Sequence, residues 1–304
     1  MQEQAQERFR ERIRGVNAIP VTPFRPDGEI EEDALVDGIR FLIDRGLDAL
    51  YPCGNTGEFY SLDVEEAKRV ASLSVEAAGG RGLIVAGVGH DAKTAAALAA
   101  HAERAGADGL MIHQPAHPFQ REDGVLDYYR RIADATSLPI VLYVRSEGIS
   151  AATLREAAAI PNVVGVKYAV NHLPAFAQAA REIGSALEWI CGTAETWAPF
   201  FYAAGAVGFT SGLANVDPGR SLAMAEALRL GRFEEAMRLW EETRPFERLR
   251  EQRLSGDNVS VVKEAMAQLG RGNGVVRPPI APLAAEEKRE VSRILRTWGL
   301  LPEA

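Results

Sequence analysis

Cysteine is nearly absent: Cys53 and Cys191 are the only two in 304 residues. Two thiols cannot build a disulfide framework, so the chain reads as a protein of a reducing compartment. Positive charge is also short, with 34 Lys and Arg against 42 Asp and Glu and a net charge of −8. That balance leaves no basic surface for nucleic acid or an anionic membrane. No apolar run approaches the ~18 residues of a membrane span. The opening MQEQAQERFRERIRG alternates charges without an apolar stretch and does not read as a signal peptide. The expectation is a soluble, cytoplasmic protein with no nucleic-acid or membrane partner.

What is present is a globular composition, 47% hydrophobic and 25% charged, in a chain long enough for one large core. Short apolar runs recur at 16–21, 48–53, 83–87, 108–113, 139–144, 163–168, 187–192 and 206–211. They are rich in Val, Ile and Leu and apolar on both faces, as parallel strands covered on both sides must be. Helix-length segments separate them. Asp63 with Glu66 forms a capping-box pattern and Gly79–Gly80 a stop, while AERAG ends another helix at Gly106. Eight strands alternating with eight helices predict an α/β fold of the (β/α)8 TIM barrel class. The rival, a doubly wound open sheet, calls for a glycine-rich fingerprint after the first strand, where PVTPFRPDG stands. Past residue 230 the pattern is purely helical, so 1–230 is assigned to the barrel and 231–304 to a C-terminal helical extension.

Barrel chemistry sits at the C-terminal ends of the strands. The polar residues there are Thr22, the turn CGNTGE, His113, Tyr143, Arg145, Lys167 and Thr210. Lys167 interrupts the apolar run VVGVKY and points into the barrel if Val166 points out. Burial lowers a lysine's pKa and frees the neutral amine to attack a ketone. A strand-end lysine can equally snorkel to solvent, and Lys263, in an apolar helix, competes for the same role. Tyr143, ending the neighbouring strand, could relay protons to such an amine or be a core aromatic. The turn Gly54–Glu58 offers close backbone approach and consecutive N–H groups to a carboxylate. His113 and His117 are four apart, but Pro115 and Pro118 disfavour a helix and no carboxylates complete a metal site, so none is assigned. His113 is instead expected to line the substrate mouth. The cysteines read as small core residues, and Glu58 as a helix-dipole partner.

CGNTGEFYSLDVEE, AGVG, AGADGLMI, LPIVLY, PNVVGVK and GAVGFTSGLANV together resemble, in order and spacing, the dihydrodipicolinate synthase/N-acetylneuraminate lyase family. The resemblance implies a homotetramer or dimer of dimers with class I Schiff-base chemistry on pyruvate or another 2-keto acid. It implies no cofactor beyond the covalent imine. By position it makes Lys167 the imine-forming lysine and Tyr143 the proton relay. It makes Asn55, Thr56 and Gly57 the carboxylate turn, and Phe209 the apolar neighbour of the pyruvyl group. Three departures narrow the substrate. Asn55 replaces a hydroxyl residue and cannot pass a proton as one does. HQPAHPF lacks the tyrosines that synthases of the family carry after the fourth strand, and VRSEG replaces Asn-x-Pro after the fifth. GEFYSL, AGVGH and the Tyr143-x-Arg145 pair look closer to the branch holding 5-dehydro-4-deoxyglucarate dehydratase. There Arg145 would hold the far carboxylate of a keto-deoxy sugar acid. The alternatives are dihydrodipicolinate synthase proper and a 2-keto-acid-binding member without turnover.

Overall fold

The apolar runs become eight parallel strands, and the computed structural model, which describes residues 2–303, closes them into a single barrel in sequence order. They are β1 (Gly15–Ala18), β2 (Ala49–Leu50), β3 (Leu83–Val88), β4 (Gly109–His113), β5 (Ile140–Val144), β6 (Val163–Tyr168), β7 (Glu188–Cys191) and β8 (Gly208–Ser211). The rival open sheet is thereby excluded, because β1 pairs with both β2 and β8. β2 is shorter than its apolar run. Pro52 has no N–H to donate, and Cys53 turns the chain with a left-handed φ of 59°. Pro20 ends β1 early for the same reason.

A helix follows each strand: α2 (Glu32–Asp44), α3 (Val64–Ala78), α4 (Ala92–Ala105), α5 (Glu122–Ala133), α6 (Ala151–Ala158), α7 (Leu173–Ile183), α8 (Ala194–Ala203) and α9 (Pro218–Arg229). The capping box at α3 forms as its pattern predicts. Glu66 N–H donates to Asp63 Oδ1 at 2.8 Å, and Asp63 N–H donates to Glu66 Oε2 at 3.0 Å. Gly79 and Gly106 end α3 and α4 in left-handed conformation. Val163 and Val166 pack outward with Phe176 and Phe201 against the helical layer. The opposite strand faces, including Val85, Met111, Val141 and Ile190, fill the barrel.

The opening segment, given no element from its sequence, forms α1 (Gln2–Arg12). Phe9 and the following Ile13 are buried in the interior barrel cluster, and Arg10 donates to Val164 O at 3.1 Å and Ala186 O at 2.9 Å. After the barrel come α10 (Phe233–Ser255), α11 (Asn258–Gln268) and α12 (Ala285–Thr297). Phe246, Val262, Ile294 and Leu295 form a second core there with Val21, Leu213 and Val216, which follow β1 and β8. This seats the extension over the C-terminal end of the barrel. Helical geometry in α10 breaks at Gln252, Arg253 and Leu254. Among the described residues, no helix is long and apolar enough to cross a membrane.

Candidate active site

Strand register sets the central pair. His113 pairs with Tyr143 and Tyr143 with Lys167 across β4, β5 and β6, and Lys167 pairs with Ile190 of β7. Val166 faces the helices, so alternation turns Lys167 inward. Its Nζ lies 3.9 Å from the centroid of the Tyr143 ring. Burial pulls the ammonium down to about 7, and the Arg145 guanidinium pushes the same way. Burial holds the Tyr143 phenol up at about 12, so it keeps its proton. A neutral amine beside a protonated phenol is competent to attack a carbonyl and hand on a proton.

The turn after β2 sits against this pair. Asn55 Nδ2 donates to the Tyr143 hydroxyl at 3.2 Å, and the buried Asn55 Oδ1 has no partner among the described residues. A phenol oxygen that accepts from Asn55 keeps its own hydrogen for another group. Thr22 Oγ1 donates to Gly57 O at 2.7 Å and pins the turn to the segment after β1. A Cβ on Gly57 would come within 2.9 Å of Pro20 O, so only glycine lets the two segments meet this closely. The N–H groups of Thr56 and Gly57 donate to nothing among the described residues, which leaves two consecutive donors beside Asn55.

Lys167, Tyr143, Asn55, Thr56 and Arg145 all line one cavity of about 700 Å³. Arg145 is exposed, its guanidinium carbon 5.5 Å from the Tyr60 centroid and 5.8 Å from that of Tyr143. Its backbone N–H donates to Gln114 Oε1 at 2.7 Å, which anchors the residue after β5.

Two expected site residues lie elsewhere. Phe209 is fully buried and belongs to the layer between barrel and helices, so it makes no wall of the cavity. The next residue, Thr210, faces the cavity, as alternation along β8 requires. His113 is fully buried behind Tyr143, stacked on Phe59 with centroids 4.2 Å apart, and hydrogen-bonded through Nε2 to Cys53 O at 2.8 Å. Burial holds it neutral with a pKa of about 3. It therefore supports the Cys53 turn rather than the substrate mouth. His117 is exposed, and no group of three or more His, Cys, Asp or Glu among the described residues is arranged to hold a metal.

The competing lysine has another partner. Lys263 forms a buried ion pair with Glu58 and donates to Val275 O at 2.9 Å. Glu58 also accepts from Arg277 N–H at 3.0 Å. The expected helix-dipole role of Glu58 is thus replaced by a tie between the site turn and the C-terminal extension. Both cysteines are buried, with thiols pushed up to about 12 by desolvation.

The far wall was not foreseen. It comes from Asn171 after β6, Thr193 and Thr196 at the start of α8, and Arg244, Arg250 and Asn258 of α10 and α11. Thr193 Oγ1 donates to Asn171 Oδ1 at 3.0 Å. Arg250 is buried, donating to Glu247 Oε1 at 2.6 Å and to Asn258 Oδ1 through Nη2 at 2.6 Å. A side chain on Gly212 would collide with Arg250 Nη2, so the glycine after β8 makes room for it. The one advance signal for these residues was that glycine, in TSGLANV.

A closed (β/α)8 barrel carrying this grouping at its strand ends belongs to the class I aldolase type of lyase. The profile of the Dihydrodipicolinate synthetase family matches residues 12–298, and the chain belongs to that family. It is similar to the 4-hydroxy-tetrahydrodipicolinate synthase of Acidiphilium cryptum, 36% identical over 286 residues, covering 92% of this chain and 97% of that protein. It is also similar to a Bacillus subtilis protein named "Probable 5-dehydro-4-deoxyglucarate dehydratase", 31% identical over 294 residues and 95% of each chain. The crystal structure of dihydrodipicolinate synthase from Oceanobacillus iheyensis superposes with a TM-score of 0.94. It is 42% identical and covers 98% of this chain and 100% of its own.

Proposed function

We propose that this protein forms a Schiff base through Lys167 with a 2-keto acid, and that its substrate class is the 2-keto-3-deoxy sugar acids. The observation that carries the reading is the buried Lys167 amine over the Tyr143 ring, at the floor of a cavity far larger than pyruvate fills. The C1 carboxylate binds the free N–H groups of Thr56 and Gly57 beside Asn55. The neutral amine adds to the C2 carbonyl, and the carbinolamine loses water as Tyr143 supplies a proton to the departing oxygen. The resulting iminium draws electrons from C3, so the Tyr143 phenolate takes a C3 proton and returns it to the C4 hydroxyl, which the enamine expels as water. Cleavage of the C3–C4 bond uses the same electron sink. Because the imine is the sink, this chemistry calls for neither a metal nor an organic cofactor.

A second reading is the reaction for which the Acidiphilium cryptum relative is named, that of a 4-hydroxy-tetrahydrodipicolinate synthase. Asn55 in place of a relay hydroxyl and the burial of His113 where the mouth lacks tyrosine weigh against it. Under either reading we propose a cytoplasmic location and assembly as a homotetramer or dimer of dimers, and sedimentation checks the assembly.

Borohydride added with pyruvate is expected to leave a three-carbon adduct on Lys167, read by peptide mass spectrometry. A panel of keto-deoxy sugar acids then separates dehydration from cleavage by product. No adduct with pyruvate or any panel member sinks the Schiff-base reading. An adduct without turnover identifies a binding protein on the same barrel.

A further inference from the structure

The Schiff-base reading leaves open which cation takes the far end of a diacid. Sequence alone offered Arg145. Its guanidinium lies over the rings of Tyr143 and Tyr60, and Tyr60 is not part of the cavity wall. Most of the wall lies on the other side, after β7 and β8 and along α10. That wall carries hydroxyl and amide groups from Thr193, Thr196, Thr210, Asn171 and Asn258, which suit a hydroxylated chain. Two arginines belong to it. Arg250 is buried and neutralised by Glu247, with Asn258 taking its Nε and Nη2 donors. Arg244 differs. Only its Nη1 is engaged among the described residues, donating to Glu251 Oε2 at 3.0 Å and Thr196 Oγ1 at 3.3 Å. Its side chain is 27% exposed, and Glu251, its ion-pair partner, is 38% exposed.

Resting on the Schiff-base reading above, we infer that Arg244 of α10 is the specificity residue for the far carboxylate of a dicarboxylic 2-keto acid. Three features support it. The Nε and Nη2 donors of Arg244 are open, and together they form the side of the guanidinium that receives a carboxylate bidentately. The resident Glu251 holds Nη1 alone in a partly exposed, solvent-screened pair, so it leaves that side of the fork to a substrate carboxylate. Thr196 and the Trp240 ring, 5.6 Å from the guanidinium carbon, fix the fork at the cavity wall. Arg145 then acts at the other end, as a charge beside Lys167. The C-terminal extension thus supplies substrate selectivity as well as a cover for the barrel.

The test compares two six-carbon 2-keto acids as competitors of pyruvate trapping at Lys167: 2-oxoadipate, with a far carboxylate, and 2-oxohexanoate, without one. The natural chain is expected to prefer 2-oxoadipate by about tenfold or more, the value of a charge-assisted hydrogen-bonded pair. Arg244→Met is expected to bring that ratio near one, while Arg145→Met keeps it. Glu251→Gln retains Arg244 but removes its competitor, so the ratio rises; this arm does not depend on whether Arg244→Met folds. No preference in the natural chain, a preserved ratio in Arg244→Met, or a ratio lost only in Arg145→Met overturns the assignment. Failure of the natural chain to trap pyruvate at all is a separate result, and strikes the Schiff-base reading on which the assignment rests.

Discussion

Lys167 and Tyr143 are paired across adjacent strands, with the lysine nitrogen 3.9 Å from the phenol ring centroid. Their relative placement is therefore fixed by sheet register and does not depend on a loop. A ring face favours a cation, yet burial and the Arg145 charge outweigh it and leave the amine half-neutral near pH 7. The phenol oxygen meanwhile accepts from Asn55 and holds its proton for use in the cavity.

Tyr143→Phe removes the proton donor and leaves Lys167 in place. Turnover is expected to fall by about 10²–10⁴, while borohydride still traps a keto acid on Lys167. Among the described residues the hydroxyl makes a single bond, to Asn55, so the loss in folding stability is about 1 kcal/mol. Steady-state kinetics, mass spectrometry and denaturant unfolding read the three quantities.

The pH dependence of trapping follows from the lowered lysine. The initial rate of adduct formation should rise through about pH 7 and then level, well before the ordinary lysine range near 10.5. Arg145→Met removes a repelling charge and moves that midpoint upward. In stability the sign is the reverse of a salt-bridged lysine. Below pH 7 the folded chain must bury a charge, and this cost fades between about 7 and 10.5. Lys167→Met should therefore raise stability more at pH 6 than at pH 10, measured by urea unfolding.

The Glu58–Lys263 pair ties the carboxylate turn to α11. Lys263→Met leaves Glu58 buried without its cation, and is expected to cost about 3–5 kcal/mol. Replacing both, as Glu58→Met with Lys263→Met, should restore most of that loss in chemical denaturation. Trapping with pyruvate should be weakened in both, because the turn loses its backing.

Glu195 is fully buried, accepts from Ser211 and Ser221 at 2.5 Å each, and its Oε2 has no partner among the described residues. Burial, followed by the neighbouring Glu247 charge, raises its carboxyl pKa. A raised carboxyl pKa means the folded state holds the proton longer than the unfolded one. Stability then declines as pH climbs from the ordinary carboxyl range through the raised value. Glu195→Gln removes this slope, so its melting temperature should exceed that of the natural chain more at pH 8 than at pH 5.

Much of this was legible in the chain. VVGVKY became β6 residue for residue, and past a register shift at its start the step from Val166 to Lys167 turned the lysine inward. The capping box of α3 and the stops at Gly79 and Gly106 follow local chemistry and formed as read. Phe209 and His113 show where such reading ends. Alternation along β8 gave Thr210 the inward place, and resemblance by position had named its neighbour. His113 does end a strand, but the packing of Phe59 over it closes the way to the cavity. The stretch RFEEAMRLWEETRPFERLR reads as a solvated charged helix, and nothing local marks Arg244 or Arg250 as wall residues.

By itself, then, the sequence determined the barrel, the inward lysine, its tyrosine neighbour and the glycine turn, because each depends on periodicity or on contacts between adjacent strands. The tertiary structure alone decided which side chains close the cavity. Arg244 lies 77 positions beyond Lys167, and Lys263 answers Glu58 from across the fold. Such contacts are set by how the extension packs on Val21, Leu213 and Val216. Both lysines are buried, and it is the Glu58 carboxylate beside Lys263, not residue type, that sets the two apart.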